Sequence, residues 1–128
     1  MGRRRILLWL CSGAFATAGT AFRACPMPLA RLVEIGLPTT TARIEFAAMY
    51  GGLQLGIAAF LVYCTIRPER ACIGLLASGC AAAGFAIVRA GGLLAGSAKP
   101  LVWVMLAIEL LAAGLCFWAA LSTSTDHA

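Results

Sequence analysis

Arg89 and Glu109 are the residues of this chain best placed to do chemistry, because each lies inside a stretch that is otherwise apolar. An ionised group in hydrocarbon costs several kcal/mol, so such residues pair with one another or face a functional cavity. An arginine and a carboxylate in that setting can hold a substrate, carry a proton, or join two helices as a buried ion pair. The last use fixes helix register without any turnover. The choice among these depends on the elements that carry the two side chains.

Those elements follow from composition. Of the 128 residues, 62% are hydrophobic and only 12% are charged. A soluble domain runs nearer half apolar and a quarter charged. The runs Ile6 to Phe22, Phe46 to Ile66 and Ala71 to Val88 carry no charge, and each is near the ~20 residues that a membrane helix needs. Leu101 to Leu121 holds Glu109 as its one charge. Spans are therefore expected at about 6–24, 43–66, 71–95 and 101–121, with a polar tail over 122–128. Pro26, Pro28, Pro38, Pro68 and Pro100 all fall outside these spans, as helix-breaking residues should. The expected fold is all-α, an integral membrane four-helix bundle forming a single domain over 1–128.

The net charge of +5 is not a nucleic-acid signal, because the basic residues sit mainly at span ends. Arg3, Arg4, Arg5, Arg67 and Arg70 fall on one side of the membrane, against Arg23, Arg31, Arg43 and Lys99 on the other. The positive-inside rule then puts both termini in the cytoplasm of a multi-pass inner-membrane protein. The first span also has the basic start and small residues (Ala14, Phe15, Ala16) of a signal peptide; we read it as a retained span. Ile6 does not fit the myristoylation pattern.

The segment between the first two spans is the one long loop. Pro28 to Gly36 can form two helical turns with Leu29, Leu32 and Val33 on one face, ending at Gly36 and Pro38. Both a short interfacial helix and an ordinary ordered loop fit it. Thr39, Thr40 and Thr41 supply capping hydroxyls for the second span.

Depth brings the polar residues together. At about 1.5 Å per residue, Arg89 and Glu109 lie about 12–17 Å from the turn between the third and fourth spans, within one helical turn of each other. Tyr50 reaches a similar depth on the second span, Glu45 lies nearer its mouth, and Gln54 follows Tyr50 by one turn. Glu45, Tyr50, Gln54, Arg89 and Glu109 form the candidate polar cluster. As a lone acid in a first turn, Glu45 would also complement the helix dipole. Ala48, Gly52 and Gly56 form a small-residue stripe for helix packing, within the bundle or at a dimer face. Cys80 and Gly84 on the third span offer a stripe to receive it.

Other chemistries lack their residues. The six cysteines contain no Cys-x-x-Cys, which disfavours thiol oxidoreductases of that type. Cys11, Cys80 and Cys116 are expected to be deep and to act as small apolar side chains. Cys64 and Cys72 flank the cytoplasmic turn, and Cys25 faces outward. The single histidine, His127, lies in the tail, so no metal or haem site is expected in the bundle. No GxSxG, phosphate loop or GxGxxG occurs. No cofactor is expected.

Several blocks carry a family resemblance: Arg43 to Glu45, Tyr50-Gly51-Gly52-Leu53, Arg67 to Arg70, Arg89 with Gly91 and Gly92, and Glu109. Together they resemble domain of unknown function family 4345, a group of small bacterial membrane proteins. The resemblance implies the fold and carries no activity with it.

The function expected is that of a non-enzymatic structural or accessory membrane component. The alternative is a protein that binds or transports a small solute, lipid or proton through the Arg89–Glu109 cluster. Expected partners are membrane lipids and a second copy or larger membrane complex, with no nucleic acid. The topology makes Cys25 reactive to a membrane-impermeant maleimide in intact cells; labelling only after lysis reverses the orientation.

Overall fold

Helix starts and stops in this chain fall where proline and capping side chains put them. The computed structural model describes residues 2–96 and 99–122. His127 and the rest of the tail beyond Ser122 lie outside the described residues. Helix α1 (Arg3–Ala24) ends at Cys25, and α2 (Pro26–Leu32) begins at once with Pro26 in its first turn. The second span is α3 (Thr40–Phe46), a π-helical turn over Ala47–Gly52, and α4 (Leu53–Ile66). Thr39 caps it, its hydroxyl accepting the Ala42 N–H at 3.1 Å. A single 3-10 turn at Pro68–Arg70 leads into α5 (Ala71–Ala95), and α6 (Pro100–Leu121) follows. Four helical segments, Arg3–Ala24, Thr40–Ile66, Pro68–Ala95 and Pro100–Leu121, are long and apolar enough to cross a membrane.

The helices associate as two hairpins. The most extensive packing joins α1 to α4 and α5 to α6, while α1 with α5, α4 with α5 and α1 with α6 meet over shorter stretches. The hairpins close on each other toward the end that carries residues 2 and 122, here the terminal end. Leu8, Leu61, Ala71, Leu75, Cys116, Ala119 and Ala120 form the core there. No residue of α5 beyond Ala86, and none of α6 before Ala113, is buried. Toward the other end, the loop end, burial is confined to the first hairpin. There Ala30, Leu37 and Phe46 pack with Phe22, Met27, Ile35 and Ala42. The loop after α2 therefore folds down over the mouth of α3.

That loop stops its helix differently from expectation. The predicted stop was Gly36, but Glu34 adopts the left-handed conformation, with φ of 59°. The Ile35 N–H reaches back to Ala30 O at 2.8 Å and the Glu34 N–H to Arg31 O at 3.1 Å. This is the Schellman arrangement, in which paired backbone bonds satisfy the last carbonyls, and Ile35 packs against the apolar cluster of Ala30, Leu37 and Phe46 to seal the turn. The contact explains how a glutamate holds a position that ordinarily favours glycine.

The small-residue stripe also differs. Gly52 and Gly56 have nothing within 4 Å of where a Cβ would stand, and Ala48 is exposed. The stripe does not pack within the bundle. Gly84 is equally open and Cys80 is exposed rather than interior, so they receive nothing either. The cause is the π turn, where the Leu53 N–H bonds to Ala48 O, five residues back. Such a turn holds an extra residue and shifts the faces that follow it. Gly51 turns to α1 instead, where a Cβ on Gly19 would stand 2.9 Å from Gly51 O. The two helices approach closely here, and Ser12 adds a 3.1 Å hydrogen bond from its hydroxyl to Ala58 O.

The terminal end is closed by arginine. Arg4 Nε donates to Ala119 O at 3.0 Å, and its Nη2 donates to Ala120 O at 3.4 Å and Ser122 O at 2.5 Å. One guanidinium thus caps the C-terminal carbonyls of α6 and meets its negative dipole end. Arg3 lies over the Trp118 ring at 4.3 Å, and Arg70 over Tyr63 at 4.5 Å.

Two outcomes follow. Gly19→Ala forces a methyl group into backbone and lowers stability by about 1–3 kcal/mol, whereas Gly52→Ala is neutral or stabilising; thermal midpoints in detergent separate them. Arg4→Met keeps the stem but loses the fork, costing about 1 kcal/mol, and Arg4→Lys recovers part of the lost midpoint.

Candidate functional site

The interior face of α5 carries Leu75, Ala82 and Ala86, all buried. Arg89 continues that face, three residues beyond Ala86, at helical spacing. On α6 the interior face carries Cys116 and Ala113, and Glu109 lies four residues before Ala113. Both charged residues thus fall on inward faces at the depth where the hairpins cease to bury each other. Arg89 Nε donates to Glu109 Oε2 at 2.9 Å and Nη2 donates to Oε1 at 2.7 Å. This is a two-bond fork, the strongest form of arginine–carboxylate contact. The side chains retain 23% and 15% of their exposure. The pair sits at the limit of the dry core.

The rest of the expected cluster is only partly assembled. Tyr50 lies within the π turn and is exposed. Its ring stacks on Phe46 at 4.6 Å and approaches Phe22 at 5.5 Å. Phe22, Phe46 and Tyr50 thus form an aromatic trio between α1 and the second span. Gln54 is half-buried on α4, and the structure gives its amide no hydrogen bond among the described residues. Glu45 is exposed near the start of the second span and joins neither the fork nor any other ion pair among the described residues. Its place in the final turn of α3, the helix that the π turn extends, sets it apart from the cluster.

Three features were not foreseen. Glu34 and Lys99 form an exposed ion pair at 2.7 Å. It joins the loop of the first hairpin to the turn of the second, across the loop end of the bundle. Exposed pairs of this kind contribute little, roughly 0–1 kcal/mol. The Arg4 cap is the second feature; the run of arginines before the first span signals topology and hides it. The third is a contact between the sulfurs of Cys11 and Cys116 at 3.6 Å. Cys11 and Cys116 lie 105 positions apart, and no spacing rule joins them.

No group of three or more His, Cys, Asp or Glu side chains able to hold a metal ion occurs among the described residues. One open groove runs along α1 beside Ala16, Thr17 and Thr20. A second lies between α1 and α6, beside Leu10, Leu115 and Trp118. Neither is lined by Arg89 or Glu109.

Comparison with known proteins gives one family. Neither a curated protein nor a solved structure matches the chain. A family model matches residues 4–120, which takes in all four membrane-length helices and both members of the fork, and the chain therefore belongs to the family described as Domain of unknown function (DUF4345).

Proposed function

We propose that this protein is a non-enzymatic structural or accessory component of a membrane, oriented with both termini in the cytoplasm. The observation that carries this reading is the self-contained fork of Arg89 and Glu109. Both carboxylate oxygens are engaged by the one guanidinium, at 2.7 and 2.9 Å. An ion pair that satisfies itself sets the register of α5 on α6 and asks for no substrate. The surface available for association is then the outward stripe of Ala48, Gly52 and Gly56, where another membrane helix can approach closely.

A second reading rests on the loop end of α5 and α6. On the loop side of Ala86 and Ala113 no residue of α5 or α6 is buried, and the Arg89 and Glu109 side chains keep 23% and 15% of their exposure there. A small solute held there would use Arg89 as its anion-binding group and would have to compete with Glu109.

Substitution of the fork separates the two. Arg89→Leu and Glu109→Leu each strand a charge and cost about 3–5 kcal/mol, read as loss of monodisperse protein in detergent. The double variant recovers most of that yield under the structural reading. Single variants as stable as the parent overturn the pairing role. A double variant that folds but loses a co-purifying small molecule, seen by native mass spectrometry, favours the solute reading.

A further inference from the structure

Cys11, Cys64, Cys72 and Cys116 lie toward the terminal end of the bundle, while Cys25 and Cys80 are exposed. Cys64 packs against α5 where Gly74 leaves room for it, and the Cys72 thiol faces Ala120 O at 3.6 Å. Cys11 and Cys116 are placed differently. Their sulfurs stand 3.6 Å apart, the one sulfur–sulfur contact among the described residues. A disulfide needs about 2.05 Å, so side-chain rotation must close about 1.5 Å.

Their place in the fold gives that proximity a consequence. Cys11 is on the first span and Cys116 on the last, and α1 meets α6 over a short stretch. Besides the sulfurs, that seam is held by the Arg4 cap and by Arg3 on Trp118. The position of Cys11, eight residues inside the start of α1, puts it about 12 Å along the helix axis. Charged, water-soluble thiols and oxidants are excluded at that depth. An apolar groove of about 330 Å³ runs along the same seam, lined by Leu10 and Leu115, the chain neighbours of the two cysteines, with Ile6, Leu7 and Trp118. It gives a membrane-dissolved molecule a place beside that seam. Neither cysteine lines it, so the side-chain rotation that closes the sulfur gap must also bring Cys11, the less buried of the two, toward it.

We propose that Cys11 and Cys116 form a disulfide, with a lipid-soluble quinone as oxidant, that staples the first span to the last. Two S–H bonds break and one S–S bond forms. Two electrons and two protons pass to the quinone, which leaves as the quinol. The product is a covalently closed bundle whose first and last helices no longer separate. This modification is independent of the role given to Arg89 and Glu109.

The test uses the full chain reconstituted in liposomes with and without a short-chain ubiquinone analogue. Remaining thiols are alkylated and the protein is digested without reduction. The expected result is a peptide joining positions 11 and 116 that rises several-fold with quinone, an intact mass lower by two hydrogens, and a matching amount of quinol. The Cys25→Ser/Cys80→Ser variant, which removes the exposed thiols, retains the link, and the oxidised form melts several degrees above the reduced one. Absence of the joined peptide with quinone present overturns the proposal, as does quinone-dependent linkage that vanishes in the Cys25→Ser/Cys80→Ser variant. If Cys116→Ser fails to fold, Cys11→Ser supplies the same control, because either change abolishes the mass loss.

Discussion

A guanidinium set between apolar helices has two stable options: it reaches water or it meets an anion. Arg89 meets Glu109, and much of the bundle is arranged around that fact. The fork has a narrow geometry, because two parallel N–H···O bonds must form together. A slip of one residue along either helix would move one partner by about 1.5 Å and turn it by about 100°. The fork as formed is compatible with one axial offset and one rotation of α5 against α6. It also sets the limit of the dry core. The inward face of α5 reads Leu75, Ala82, Ala86 and then Arg89, and that of α6 reads Cys116, Ala113 and then Glu109.

Toward the terminal end the chain obeys the same constraint by different means. Hydrocarbon offers no hydrogen bonds, so buried polar groups must find partners inside the bundle. The three buried hydroxyls do so: Ser12 reaches Ala58 O on the neighbouring helix, while Thr65 and Ser78 turn back onto Leu61 O and Gly74 O of their own helices. The last carbonyls of α6 are answered by Arg4. Glycine then permits the helices to close, with Gly19 against Gly51 and Gly79 against the Phe117 ring. Close backbone approach and local satisfaction of polar groups replace the hydrophobic drive that water would supply.

The spans were legible in the sequence because apolar runs of membrane length, bounded by proline, leave few alternatives. The fork was legible for a related reason: two charges at matched depth on adjoining helices have little choice of partner. The spacing of Ala48, Gly52 and Gly56 left two places for the stripe, inside the bundle or at a dimer face, and the structure leaves it on the outside. A π turn in Ala47–Gly52 leaves no mark in hydropathy, yet it decides that Gly51 rather than Gly52 meets α1. The helix stop at Glu34 was hidden similarly, since its left-handed backbone is held by Ile35 packing on the cluster of Ala30, Leu37 and Phe46 and the sequence offered Gly36 as the easier candidate. Glu45 was grouped with the cluster on depth alone, which says nothing of the face it occupies. Contacts between the first span and the last, through Arg4 and Cys11, join residues too far apart for any local pattern to register.

The Arg4 cap has a consequence for how the molecule is made. Its acceptors lie 115 to 118 positions downstream, so they do not exist until α6 has been translated. Each hairpin joins spans that are consecutive in the chain and can form as soon as its second helix enters the bilayer. Closure of the ring must wait for the final turn of α6, and its loop-closure entropy is met last. Until then the Arg4 guanidinium is without these acceptors. The first span is thus tied to the last by a contact that only the end of α6 can supply, and that contact completes the fold.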